Sequence, residues 1–236
     1  MLSKFIAWAE WADIKELLSP QFFTVMPPGK IASLIKEMYR NFRNKDLFDR
    51  AIAEVTDLCD HLNLDLVIAD DAGPDPAPPM GDTILRLYFG QLFDGTTTLV
   101  DLRPDRFSLR QGRPVWTPNR LVVDWDESFI KSIRDLYRGF YTDEDELFEQ
   151  ALAQLNLEST ADLFRHHFGA GDQRQVSFSK DEFRATFRQI LRRCKEEGAE
   201  LHHHFGVLGV YLGTLYDHLE STGETYDVRA AVEALL

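Results

Sequence analysis

Apolar residues recur three and four positions apart over most of the chain, and only its middle breaks that rhythm. Residues 2–18 carry Phe5, Ile6, Ala9, Ile14, Leu17 and Leu18 at helical spacing, and Ser19-Pro20 stops the run. Pro27-Pro28-Gly29 opens a second predicted helix, about 30–43, with Ile31, Leu34, Ile35 and Met38 on one face. A third, about 46–62, carries Leu47, Ile52, Val55 and Leu58. LDLVIA (64–69) reads as a short buried strand, and the Pro-, Gly- and Asp-rich run DDAGPDPAPPMGD (70–82) as a linker. This divides the chain into an N-terminal helical segment, 1–70, a linker, 71–82, and a body, 83–236.

The middle of the chain is less regular. TILRLYFGQLF (83–93) fits two states: Ile84, Leu87 and Tyr88 suit a helix, whereas the following Asp94-Gly95 signals a hairpin turn. TTTLVDL (96–102), FSLRQGRPVW (107–116) with a turn at Gln111-Gly112, and RLVVDW (120–125) read as strands. From residue 127 the pattern is helical almost to the end. Ser179 followed by Glu182 is a capping box by sequence, and Thr142 followed by Asp145 resembles one. The expected fold is mostly α with a small antiparallel β-hairpin or sheet, an α+β arrangement.

Composition narrows the class. At 236 residues and 44% hydrophobic, with 17 Phe, the chain can bury one large core or two small ones. Its net charge of −13 argues against nucleic acid or an anionic membrane as a partner. Arg188, Arg192 and Arg193, the densest basic cluster, read as a solvated helix face. Two cysteines do not make a disulfide framework, and the acids Glu10, Asp13 and Glu16 break the N-terminus as a signal peptide. No run approaches the ~20 apolar residues of a membrane span. A soluble, cytoplasmic protein with an unidentified protein or small-molecule partner is the expectation.

Two aspartates follow apolar pairs: Asp101 after Leu99-Val100 and Asp124 after Val122-Val123. Kinase-type phosphoryl transfer uses two such acids, one accepting the substrate proton from a loop and one holding metal beyond a hairpin. The order of features from about 84 to 228 resembles the C-terminal lobe of the UbiB/AarF-type atypical kinases, a family linked to isoprenoid quinone synthesis. There a helix ending near Q-x-F-x-x-G leads into H-x-D-x-H-P-x-N, a hairpin and D-F-G. This chain has Gln91 and Phe93, then V-D-L-R-P-D-R, then V-V-D-W-D. The resemblance implies a kinase C-lobe-like helical body, with Asp101 at the catalytic-loop position and Asp124 at the metal position. ATP and Mg²⁺ would follow only if that pocket survives.

The departures point to lost chemistry. Arg106 stands at the metal-ligating Asn position of the cofactor site, and a guanidinium cannot ligate a cation. Leu99 and Arg103 replace both histidines, Gly95 comes one residue early, and Trp125-Asp126 replaces the Phe-Gly of D-F-G. The first 80 residues hold no glycine-rich strand pair, no V-A-x-K lysine and no K-x-G-Q motif. The leading expectation is therefore a non-catalytic or degenerate kinase-lobe-like binding or regulatory module.

Two other classes remain: a helical metalloenzyme and a plain interaction scaffold. Asp57/His61, Asp162/His166 and Glu200/His204 are each four apart, one face of a helix. His166, Asp162, His204 and Glu200 are thus alternative metal candidates. The consecutive His202, His203 and His204 would point in different directions around a helix, so at most two could serve one site. Gly206, Gly209 and Gly213 read as a close-packed helix face, and Trp8, Trp11, Phe22 and Phe23 mostly as core. No P-loop, dinucleotide-binding, nucleophile-elbow or H-E-x-x-H motif is present, and neither cysteine lies in a C-x-x-C.

Overall fold

A computed structural model describes residues 28–168 and 175–236. The helix expected over 2–18 and the aromatic set Trp8, Trp11, Phe22 and Phe23 lie outside the described residues. Helices α1 (Pro28–Arg43) and α2 (Lys45–His61) lead to two short strands, β1 (Val67–Ile68) and β2 (Asp75–Pro76). Helix α3 (Gly81–Asp94) runs into β3 (Thr97–Leu99), and a 3-10 turn (Pro104–Arg106) into the hairpin β4 (Phe107–Arg110) and β5 (Arg113–Trp116). β6 (Val122–Asp124) follows. Then come α4 (Glu127–Tyr141), α5 (Asp145–Gln154), α6 (Ala161–His167), β7 (Gln175–Ser177), α7 (Lys180–Glu197), α8 (His204–Thr222), β8 (Thr225–Asp227) and α9 (Val228–Glu233). The molecule is mostly α with small sheets, as the periodicity predicts.

The ambiguous segment 83–93 is helical. Ile84, Leu85, Leu87, Tyr88 and Leu92 of α3 are all essentially inaccessible, so α3 is enclosed on several sides and shows little of a one-sided stripe. Its close neighbour is α2: a Cβ placed on Gly90 would stand 3.0 Å from Leu58 and Leu62 side-chain atoms. Between α7 and α8, Gly209 lets Phe187 approach, since a Cβ there would fall 2.7 Å from the ring. The close-packed reading of the glycine face thus holds at Gly209.

Among the described residues three small sheets carry the strands. β3 and β6 pair antiparallel, with Thr97 opposite Asp124 and Leu99 opposite Val122. The β4–β5 hairpin turns at Gln111-Gly112, both at positive φ (54° and 79°), the backbone a two-residue hairpin loop requires. β1 and β2 flank that hairpin, in the order β1-β5-β4-β2, and β7 pairs with β8.

Several local expectations need correction. The strand expected over 64–69 shrinks to Val67–Ile68, half-buried at a sheet edge and parallel to β5. The stretch 71–82 is laid on the hairpin rather than hanging as a tether. The Gly73 N–H donates to Ser108 Oγ at 2.7 Å, and a Cβ at Gly73 would fall 2.0 Å from the Leu109 carbonyl oxygen. One apolar core runs from Leu47 of α2 to Val232 of α9, so α2 and the body share it. Ser179 caps α7 by accepting from the Glu182 N–H, but Thr142 closes α4 instead of opening α5. Its hydroxyl donates to the Arg138 carbonyl at 2.9 Å. No helix among the described residues is long and apolar enough to cross a membrane.

Candidate functional site

Asp101 lies two residues beyond β3, where the chain leaves the ribbon with β6, and is 2% exposed. A buried carboxylate must be paired or hydrogen-bonded to be tolerated, and this one is enclosed. Arg103 donates Nε to Oδ1 and Nη2 to Oδ2, both at 2.7 Å, and its backbone N–H adds a contact at 3.3 Å. Arg106 donates Nε to Oδ2 at 2.7 Å, and Asn119 donates Nδ2 to the same oxygen at 2.7 Å. A carboxylate offers about four lone-pair sites. Five donors therefore leave it no open acceptor for a substrate proton.

The backbone beneath is fixed as firmly. The carbonyls of Val100, Asp101 and Leu102 accept from Thr214 Oγ1 (2.8 Å), Trp116 Nε1 (3.1 Å) and His218 Nδ1 (2.8 Å). A carbonyl can only accept, so the hydrogen of His218 sits on Nδ1. Upstream, the buried Gln91 amide pairs with Leu99: its Oε1 accepts the Leu99 N–H at 2.9 Å, and its Nε2 donates to Tyr211 Oη at 2.7 Å. Gln91 thus ties α3 to β3 and α8 at once.

Asp124 ends β6 at the far end of the ribbon from Asp101. Its register partner Thr97 precedes Asp101 by four residues, ~13 Å at strand rise. Its side chain is 55% exposed, and Oδ1 accepts from Arg50 of α2 at 3.2 Å. Asp101 is held by Arg103, Arg106 and Asn119, whereas Asp124 is held by Arg50. Of the three positions expected at a phosphoryl-transfer site, Asp101 and Arg106 are joined directly, and Asp124 stands apart.

The helical metal pairs are not brought together as expected. Asp162 of α6 is engaged by Arg193 of α7, and His166 on the same short helix is exposed. Asp57 and His61 are both exposed on α2. Glu200 lies before α8 begins, so the one-face argument for Glu200/His204 fails. The arginine cluster is partly used: Arg193 also donates to the Ser159 carbonyl, and Arg188 to that of Arg184.

The three histidines correct the sequence reading. Helix α8 starts at His204, with His203 as its cap, so 202–204 is not a helical run and the rings do not fan outward. Their ligand atoms all lie within 4.8 Å of one another. Glu37 of α1 faces two of them: its Oε2 is 3.4 Å from His203 Nε2 and its Oε1 3.2 Å from His204 Nε2. His204 Nδ1 accepts the Asp126 N–H at 3.1 Å, which leaves the hydrogen on Nε2, directed at Glu37. Burial holds His204 below the usual histidine range, against the opposing pull of Glu37. Phe129 stacks on His202 at 4.9 Å between ring centres, and Trp125 meets His204 edge-on at 5.4 Å. Asp126, the cap of α4, is held below the usual carboxylate range, first by the Ser128 hydroxyl and Phe129 N–H and also by His202 and His204. Neither Asn119, Thr214 and His218 nor Glu37 was singled out by motif. The signal for Thr214 and His218 is a polar residue inside the apolar run FGVLGVYLGTLYDHLE.

No protein-family model, curated protein or solved structure matches this chain.

Proposed function

We propose that residues 84–228 form a kinase-lobe-like module that acts by binding or regulation and carries out no phosphoryl transfer. The observation that carries this reading is the closed Asp101 cage. The residues at two positions where the resembling family uses histidine and asparagine, Arg103 and Arg106, both turn onto the carboxylate a catalytic base would need. The order of parts supports the lobe-like half of the reading: a helix bearing Gln91 and Phe93, a loop with Asp101, a hairpin, and a strand ending in Asp124. A base must reach the proton it abstracts, and a metal-bridged nucleotide needs ligands that Arg106 cannot supply.

Thermal unfolding with millimolar ATP and Mg²⁺, on the wild type and on Asp124→Asn, tests it. A ligand at 100 times its dissociation constant would add ~2.7 kcal/mol, a rise of several degrees for a chain of this length. The expected result is no Mg²⁺-dependent shift in either protein. A shift in the wild type that Asp124→Asn abolishes would show a working nucleotide–metal pocket and overturn the non-catalytic reading.

A further inference from the structure

We propose that His202, His203 and His204, together with Glu37, form a closed four-ligand site for a borderline divalent metal of the zinc class, clamping α1 to the N-terminus of α8. This does not depend on the kinase-lobe reading, because none of the four residues belongs to the resembling motifs.

The donor set argues for the metal class. Imidazole with one carboxylate suits zinc, cobalt, nickel or copper and suits magnesium or calcium poorly, since those take oxygen shells. Tetrahedral zinc–nitrogen bonds of about 2.0–2.1 Å set neighbouring ligand atoms ~3.3 Å apart. Glu37 places Oε1 3.2 Å from His204 Nε2 and Oε2 3.4 Å from His203 Nε2, and the histidine ligand atoms lie within 4.8 Å of one another. Closing the remaining gap would take rotation of the half-buried His202 and His203, and for His202 loss of the His204 N–H contact on its Nδ1. Three histidines and a carboxylate fill a tetrahedral shell, which is the pattern of a structural site, whereas a catalytic one keeps a position open for water.

Coordination requires a proton to move. In this structure His204 carries hydrogen on Nε2 and accepts the Asp126 N–H on Nδ1. Binding through Nε2 shifts that hydrogen to Nδ1 and gives up the Asp126 N–H contact. The Asp126 carboxylate, which interacts electrostatically with His202 and His204 and whose Oδ1 is fixed by Ser128 and Phe129, would then be the acceptor for the ring hydrogen. A carboxylate behind a ligating histidine is the usual outer-shell arrangement. Phe129 and Trp125 form the apolar wall that shields this side from water.

The test is zinc binding by calorimetry on chelator-stripped protein, with metal content after dialysis, for the wild type, His203→Ala, Glu37→Gln and the control His61→Ala. His203 and Glu37 are partly exposed, so their substitution leaves the fold in place, which far-UV circular dichroism checks. One zinc per chain at micromolar affinity or tighter is expected, weakened at least 100-fold in His203→Ala and at least 10-fold in Glu37→Gln, and unchanged in His61→Ala. Cobalt should give the intense visible bands of a tetrahedral site in the wild type and lose them in His203→Ala. Absence of binding below millimolar zinc, or equal binding by all four proteins, would overturn the proposal.

Discussion

At the residue scale the molecule turns on how Asp101 is enclosed. A buried ion pair contributes little net stability when intact, because desolvation offsets the Coulomb attraction, but breaking one side leaves the other uncompensated. Asp101→Asn keeps the side-chain shape and removes the charge that Arg103 (13% exposed) and Arg106 (24% exposed) face. We expect a loss of about 3 kcal/mol, the low end for a buried pair because both arginines retain some solvent. Urea unfolding measures it, and a loss under about 1 kcal/mol would mean that water already screens the cage. The sequence singles out Asp101 and Arg106 only through the kinase-lobe resemblance, in which Arg106 falls where a metal ligand is expected. It does not show that Arg103 and Arg106 converge on Asp101, nor that Asn119 joins them from 18 residues away. That convergence depends on the 3-10 turn at Pro104–Arg106, a local geometry that hydrophobic periodicity does not encode.

Among elements, the relation of α8 to the Asp101 loop matters most. His218, 4% exposed, donates to the Leu102 carbonyl from 116 residues along the chain. Burial keeps it below the usual histidine range, while the Leu102 carbonyl and nearby Asp217 pull the other way. A lowered folded-state value means that the unfolded chain takes up the proton first as the medium is acidified. The stability tied to neutral His218 is therefore complete above its unfolded value of about 6.5 and is lost as pH falls toward the folded value. Unfolding temperature should fall between pH 7 and pH 5, and less steeply in His218→Gln, whose amide still donates to Leu102. Identical slopes would remove His218 as the source. The helices themselves were readable because their apolar stripes are long. Helix α3 was not, because burial on several faces erased its stripe, and the start of α8 was misplaced because His202 and His203 carry no stop signal.

For the whole molecule, the single core outweighs the composition of residues 70–82. Prolines and aspartates there mimic a linker, yet the segment is pinned through Gly73 and the Asp75–Pro76 pairing, and α2 packs into the same core as α8. Composition reports what a segment can do when free, and tertiary contacts decide whether it is free. We expect α2 and the body to unfold together, so that tryptophan fluorescence, with Trp116 and Trp125 inside the body, and far-UV circular dichroism give superimposable urea transitions. An earlier transition seen only by circular dichroism would show that α1 and α2 form a separate unit.

The Asp101 cage also sets how hard the loop would be to re-purpose. Replacing Arg106 by asparagine supplies a residue type able to ligate a metal, yet the bidentate Arg103 contact and the Asn119 amide would still occupy both carboxylate oxygens. Replacing Arg103 alone leaves Arg106 and Asn119 on Oδ2. No single exchange in this loop frees the carboxylate, and the intermediates lose cohesion without gaining chemistry. An engineer seeking a base at this position must change two arginines together and rebuild the support around Asn119. Access to this carboxylate comes only through concerted substitution.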